Sequence, residues 1–196
     1  MTIEFKTPEG STPLKAEELE RLIPTHITTM EQLNEAEQLN IAAASLWALG
    51  GRRSDVLSEK FAKSLHKRMF EDVWRWAGKY RTRAVNIGNI EAYDIGIRLH
   101  QLFDDVRHWI ENDVYEPDET AARLHHGLTL IHPFPNGNGR HARLMADILL
   151  RNMDQSPFTW GSDDLARQGG VRDRYLAALR AADGHDIGPL IEFARY

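Results

Sequence analysis

The run Ile131-His132-Pro133-Phe134-Pro135-Asn136-Gly137-Asn138-Gly139-Arg140-His141-Ala142-Arg143 makes one helix stop, the chain turn and a second helix begin within a single short stretch. The apolar end Thr129-Leu130-Ile131 meets Pro133, and proline pushes the residue before it out of helical geometry. His132 is therefore expected at a helix end with a free face, the placement of a general base. Gly137 and Gly139 permit a sharp turn and close approach of the backbone to a ligand. From Arg140 through Ala142, Arg143, Leu144, Met145, Ile148 and Leu149 the pattern is that of an amphipathic helix. Its unpaired first N–H groups and its dipole favour an anion. Arg140 and Arg143 stand on the first turn of that helix and can fork onto successive phosphates. Another reading takes both Asn-Gly pairs as plain turn dipeptides, with the arginines in water. The co-occurrence of the histidine, the two Asn-Gly pairs and the spaced arginines favours the phosphate site. No Gly-Lys-Ser/Thr closes the run, so a Walker A loop fits worse, and protein-kinase motifs are absent.

This run resembles the signature of the Fic (filamentation) family, His-x-Phe-x-Asp/Glu-Gly-Asn-Gly-Arg-x-x-Arg, and departs from it at one defined position. The resemblance implies that His132 deprotonates a hydroxyl of a target protein. It also implies that Gly137, Asn138 and Gly139 form an anion hole for nucleotide phosphates, with Arg140 and Arg143 on the outer ones. The departure is Asn136, which stands where most active members place a magnesium-binding carboxylate. An amide oxygen ligates a hard cation without a full charge, so weaker magnesium binding or altered chemistry is expected.

The likeness runs beyond the signature. Residues 70–82, Phe-Glu-Asp-Val-Trp-Arg-Trp-Ala-Gly-Lys-Tyr-Arg-Thr, are similar to the stretch by which Fic domains enter a β-hairpin flap, here about 83–94. By resemblance Val85, Asn86, Ile87 and Gly88 would dock a target segment by strand pairing. The ends of the chain, Leu22 to Thr29 and Tyr175 to Leu190, are most similar to the subgroup called mobile mystery protein B. Many Fic proteins carry an inhibitory glutamate that pairs with the second signature arginine, in a Ser/Thr-x-x-x-Glu-Gly/Asn pattern. That pattern is missing between Thr25 and Asn40, and Glu35 and Glu37 are the candidates left by position, with a solvated helix face as the competing reading.

The expected fold is therefore all-α, a Fic-type multi-helix domain with a small β-hairpin flap. Residues 1–54 would form an N-terminal arm and helices with a regulatory role, and 55–196 the catalytic core. The expected activity is AMPylation: transfer of AMP from ATP, with Mg²⁺, to a Ser, Thr or Tyr hydroxyl of another protein or of the chain itself. Two alternatives stay open. One is a Fic-fold enzyme that moves phosphate, UMP or phosphocholine, or that removes AMP; the other is a catalytically weak nucleotide-binding module. An antitoxin partner and a homo-oligomer are both compatible with the resemblance.

Composition bounds these readings. A chain of 196 residues, 42% apolar and 27% charged, can bury one substantial core. Its net charge of -5 argues against non-specific nucleic-acid binding, which draws on positive excess. With no cysteine there is no disulfide, thiolate zinc site or cysteine nucleophile, and the composition agrees with a reducing cytoplasm. No apolar run reaches membrane-spanning length, and the first residues lack a signal-peptide core.

The periodicity predicts helices nearly throughout: about Lys15 to Leu22, Met30 to Leu49 capped by Thr28 or Thr29 and stopped by Gly50-Gly51, then Leu57 to Trp76. Ile95 to Ile110 and Asp118 to Ile131 follow, the latter capped by Asp118, and the signature helix runs to about Asn152. Two last helices are separated by Gly184 to Pro189. The nine histidines include His125, His126, His132 and His141, but neighbours on one helix point apart and no His-Glu-x-x-His occurs, so a metal cluster is not expected. Trp74 and Trp76 are read as packing at the root of the flap. Tyr175 borders an adenine pocket by resemblance or packs in the core.

Overall fold

A computed structural model of the chain describes residues 19–85, 90–161 and 170–196. Among the described residues the α-helices are α1 (Met30–Leu49), α2 (Glu59–Phe70), α3 (Ile95–Glu111), α4 (Pro117–Ile131), α5 (Asn138–Asn152), α6 (Gly170–Asp183) and α7 (Gly188–Arg195). Of the predicted helix at 15–22, residues 15–18 lie outside the described residues, and after Leu19 the chain turns toward the bridge at Leu22.

Local chemistry sets most of the helix ends. Thr29 caps α1 by accepting from the Gln32 N–H at 3.2 Å, while the Gln32 side chain reaches back to the N–H groups of Thr28 and Thr29. Ser58 caps α2 through the Phe61 N–H at 3.1 Å. The predicted helix to Trp76 ends instead at Phe70. The next residues pair with the N-terminal segment: Ile23 N donates to Val73 O and Arg75 N to Arg21 O, both at 2.9 Å. An isolated antiparallel bridge joins Leu22 and Trp74. Pairing across the chain thus wins over continued helix. Asp118 is not the cap of α4, which starts at Pro117 after Glu116. Its carboxylate accepts from Arg195 Nε at 2.7 Å and ties α4 to α7.

The signature helix α5 is central and buries residues on most of its circumference, including Ala142, Leu144, Met145, Ile148 and Leu149. One face joins α4 and the buried stripes of α1, α2 and α3, where Leu33, Leu65, Met69, Leu99 and Phe103 meet. Ala146 and Leu150 join a second cluster with Trp160, Tyr175, Leu190 and Phe193, which seats α6 and α7. The α4–α5 turn is consequently held from both sides.

The expected β-hairpin is not formed: among the described residues there is no β-strand. Residues 83–85 and 90–91 are irregular, and Ala92–Asp94 is a single 3₁₀ turn. Arg81 supplies the physical reason, because its buried guanidinium donates to the carbonyls of Arg83 at 2.7 Å and Ile90 at 2.6 Å, acceptors that a strand ladder would otherwise use. Asn86, Ile87 and Gly88 of the expected docking strand lie outside the described residues, and Val85 is half-buried. Trp74 and Trp76 do not brace a flap. They stack on each other at 5.0 Å, and the Trp74 N–H points to α1.

Candidate active site

His132 is the C-cap of α4, in the left-handed region at φ 50 and ψ 58. Its backbone N–H still closes the helix onto Leu128 O at 3.0 Å, so the last turn and the ring orientation are fixed together. The expected free face is small, since the residue is 8% exposed. Nδ1 lies 3.3 Å from Thr129 O, and a carbonyl only accepts, so Nδ1 carries the proton and Nε2 is the basic nitrogen. Burial lowers the pKa to about 4, with Arg81 adding to the shift and the Thr129 contact opposing it. The ring is neutral near pH 7, the state a base requires.

The loop after it is built from the inside. Phe134 is fully buried and stacks on His66 with ring centroids 3.7 Å apart. The Asn138 side chain clasps the Phe134 backbone from both sides, accepting from its N–H at 2.9 Å and donating to its carbonyl at 2.8 Å. Asn138 is thus a pin for the turn, and its contribution to an anion site is its backbone. Gly137 adopts φ +76, and a Cβ there would lie 2.4 Å from Phe70 Cζ. Only glycine satisfies both conditions. His66 accepts from the Gly78 N–H at Nδ1 and so donates from Nε2 to Asn136 O, each at 3.0 Å. Burial holds its pKa well below the usual histidine range. His141 is likewise committed, with Nε2 3.0 Å from Ala62 O.

Arg81 locks the loop to α4. Its Nε donates to His132 O at 2.7 Å, and its backbone N–H to Pro133 O at 2.9 Å. α5 opens at Asn138 after Gly137, so the first N–H groups of the helix lie at the end of the same short loop that begins at His132.

The two signature arginines are used differently. Arg140 Nη1 donates to Glu37 Oε2 at 2.6 Å, and Glu37 Oε1 accepts from Trp74 Nε1 at 2.6 Å. Glu37 is therefore buried on α1, not solvated, and it meets the first arginine, whereas Glu35 is exposed. Arg143 lies over the Tyr175 ring, 5.6 Å from its centroid, and interacts electrostatically with its hydroxyl.

Asn136 Oδ1 accepts from the Gly137 N–H at 2.6 Å and carries no charge. No group of three or more His, Cys, Asp or Glu side chains among the described residues is arranged to hold a metal. Magnesium usually sits on carboxylates and substrate phosphates, and the residue at 136 supplies no carboxylate. A separate cavity of about 440 Å³, bordered by Asp55, Glu59, His100 and Arg107, lies away from the signature loop.

The sequence profile of the Fic/DOC family matches residues 56–150, the segment that carries this loop and its supports. This segment is similar to Fic/DOC-family domains. Protein adenylyltransferase fic-1 of Caenorhabditis briggsae is 32% identical over 120 residues, covering 60% of this chain and 22% of that protein. Protein adenylyltransferase Fic of Aedes aegypti is 27% identical over 169 residues, covering 84% of this chain and 32% of that protein. The chain thus spans between about a fifth and a third of the length of these relatives. Among solved structures, Fic-1 of C. elegans superposes with a TM-score of 0.63 at 23% identity, covering 91% of this chain and 52% of that one. BepC of Bartonella tribocorum, solved with bound AMPPNP, gives 0.67 at 17% identity, covering 96% and 93%. These superpositions show the fold. Within residues 56–150, sequence reasoning missed Arg81 and His66 and gave Trp74 a different partner. None belongs to the signature, and each acts through a contact far along the chain.

Proposed function

We propose that this chain is a Fic-type protein adenylyltransferase, which moves AMP from ATP to a Ser, Thr or Tyr hydroxyl of a protein. The observation that carries the reading is the neutral, oriented His132 beside the opening of α5. His132 Nε2 takes the proton of the incoming hydroxyl. The oxygen then attacks the α-phosphate in line, an O–P bond forms, the bond to the β-phosphate bridge breaks, and pyrophosphate leaves. The N–H groups that open α5, with Arg143 and Arg140, balance the charge of the phosphates. Such transfers ask for positioning and charge stabilisation more than covalent work.

Asn136 favours a second reading, transfer of a different group such as phosphate, UMP or phosphocholine, or removal of AMP, because no carboxylate stands there. The ends of the chain favour the mobile mystery protein B subgroup, with residues 1–54 as a regulatory element and a cytoplasmic setting. The deciding experiment incubates the protein with ATP labelled on either the α- or the γ-phosphate, with and without Mg²⁺, and with lysate as target source. Label from the α position is expected, and a general base is worth about 10²–10⁴-fold, so His132→Ala should nearly abolish it. Label from γ means phosphorylation, binding without transfer means a nucleotide-binding module, and undiminished transfer by His132→Ala refutes the mechanism.

A further inference from the structure

Tyr175 and His125 belong to no part of the signature, yet both are buried beside its second arginine. His125 is fully enclosed on α4 and Tyr175 is 6% exposed on α6. His125 Nε2 and Tyr175 Oη are 3.0 Å apart. The Arg143 guanidinium lies over the Tyr175 ring, 5.6 Å from its centroid, and interacts with its hydroxyl. Gly139 completes the arrangement, because a Cβ there would lie 3.7 Å from Arg143 Nη1 and 3.8 Å from Tyr175 Oη. The hydroxyl and the guanidinium therefore converge on the first turn of α5.

Donor and acceptor roles in this chain follow from elementary chemistry. A guanidinium only donates, so Tyr175 Oη turns a lone pair toward Arg143. The tyrosine's own proton then needs an acceptor, and the atom within reach is His125 Nε2. A ring that accepts there is neutral, and burial with the nearby Arg143 charge drives the His125 pKa down to about 3. The ring of Tyr175 is fixed by packing on Phe193 at 5.5 Å, and His125 by contact with Trp160 at 4.7 Å. Rigid aromatic packing thus terminates both ends of the chain.

We propose that His125 and Tyr175 are positioning residues that hold the Arg143 guanidinium at the mouth of the α5 turn, and so set the preference for a nucleotide with outer phosphates over AMP. This rests on the adenylyltransferase reading for the identity of the ligand, but not for the order of Arg143. A flexible arginine loses about 2 kcal/mol of side-chain freedom when it is fixed. A guanidinium ordered beforehand avoids that loss when phosphate arrives.

The test uses the full chain in two measurements. In nucleotide-free protein with ¹⁵N-labelled arginine, the Arg143 Nε–H should show a rigid heteronuclear NOE that collapses in Tyr175→Phe, which removes the hydroxyl and keeps the ring. Calorimetry with ATP and AMP follows. Tyr175→Phe should weaken ATP about five- to tenfold and leave AMP unchanged, with no further loss when it is added to Arg143→Ala. His125→Leu removes the acceptor from the other end and should show the same split, which keeps the proposal testable if one variant is unstable. An unchanged Arg143 NOE overturns the proposal, as does an equal loss for ATP and AMP or an additive double variant. Wild type that binds no ATP defeats the functional reading, while the NOE still decides the positioning.

Discussion

Glu37→Gln should make the protein less stable and its ATP affinity higher, because one carboxylate both braces the fold and occupies Arg140. The ion pair spans 2.6 Å, with the glutamate side chain 7% exposed and the arginine 29% exposed. At an effective dielectric constant near 20, charges about 4 Å apart attract by about 4 kcal/mol. Desolvation of the carboxylate and the residual exposure of Arg140 reduce this to about 1–3 kcal/mol, the range for hydrogen bonds to charged groups. A glutamine side chain is isosteric with the one it replaces, and its carbonyl oxygen still accepts from Trp74 Nε1, so the core is not opened. For a chain of this length that loss lowers Tm by about 3–10 °C. A phosphate that recruits Arg140 must displace Glu37, so the same free energy opposes ATP binding in the wild type. Releasing it should tighten ATP about tenfold, with little change for AMP. Scanning calorimetry and titration calorimetry measure the two effects on one preparation. Glu35→Gln, on the exposed face, should change neither. If Glu37→Gln lowers Tm without improving ATP binding, Arg140 is a strut and not a phosphate ligand. If neither quantity moves, the pair has no energetic role.

Gly137→Ala places a side chain at positive φ against Phe70, a cost of about 2–5 kcal/mol, and should abolish ATP binding in a calorimetric titration while the far-UV spectrum stays helical. Normal affinity in that variant would show that the turn is not part of the phosphate site. Asn136→Asp keeps the acceptor for the Gly137 N–H and adds a charge, so ATP affinity should become more dependent on Mg²⁺; identical titrations with and without the ion would refute this. Acid should weaken the fold through its buried histidines. The folded pKa values of His125, His132 and His141 lie at about 3, 4 and 4, and His66 is also lowered. Their stabilising effect is complete above the unfolded value of about 6.5 and is lost as pH falls toward 4. Asp147 acts oppositely, because burial raises it to about 7 and its protonation relieves the fold over the same interval. Four histidines outweigh one carboxyl, so the urea midpoint should drop between about pH 6.5 and pH 4.5, and a flat profile would count against these buried neutral rings.

What could be read from sequence was what neighbours along the chain decide. A threonine cap at 28 or 29, the stop before Pro133, the glycine at 137 and the extent of α5 to about Asn152 all follow from local rules of capping and backbone freedom. The hairpin was misread because residues 83–94 were judged by resemblance, whereas Arg81 takes carbonyls on both sides of that loop. The helix over 57–76 was overextended because its apolar stripe continues to Val73, and a stripe does not reveal that Arg21 and Ile23 pair with this segment.

By itself, the sequence determined a helix ending at one histidine, a glycine turn and a second helix opening on two arginines, since caps, proline and positive φ act over a few residues. Only the tertiary structure decided that His132 is neutral, that Glu37 reaches Arg140 across 103 positions of chain, and that Arg143 leans on Tyr175. Those outcomes depend on which helix faces meet and how deeply they exclude water. Burial changes the energy of a charge by more than any local propensity does, and no spacing rule records it.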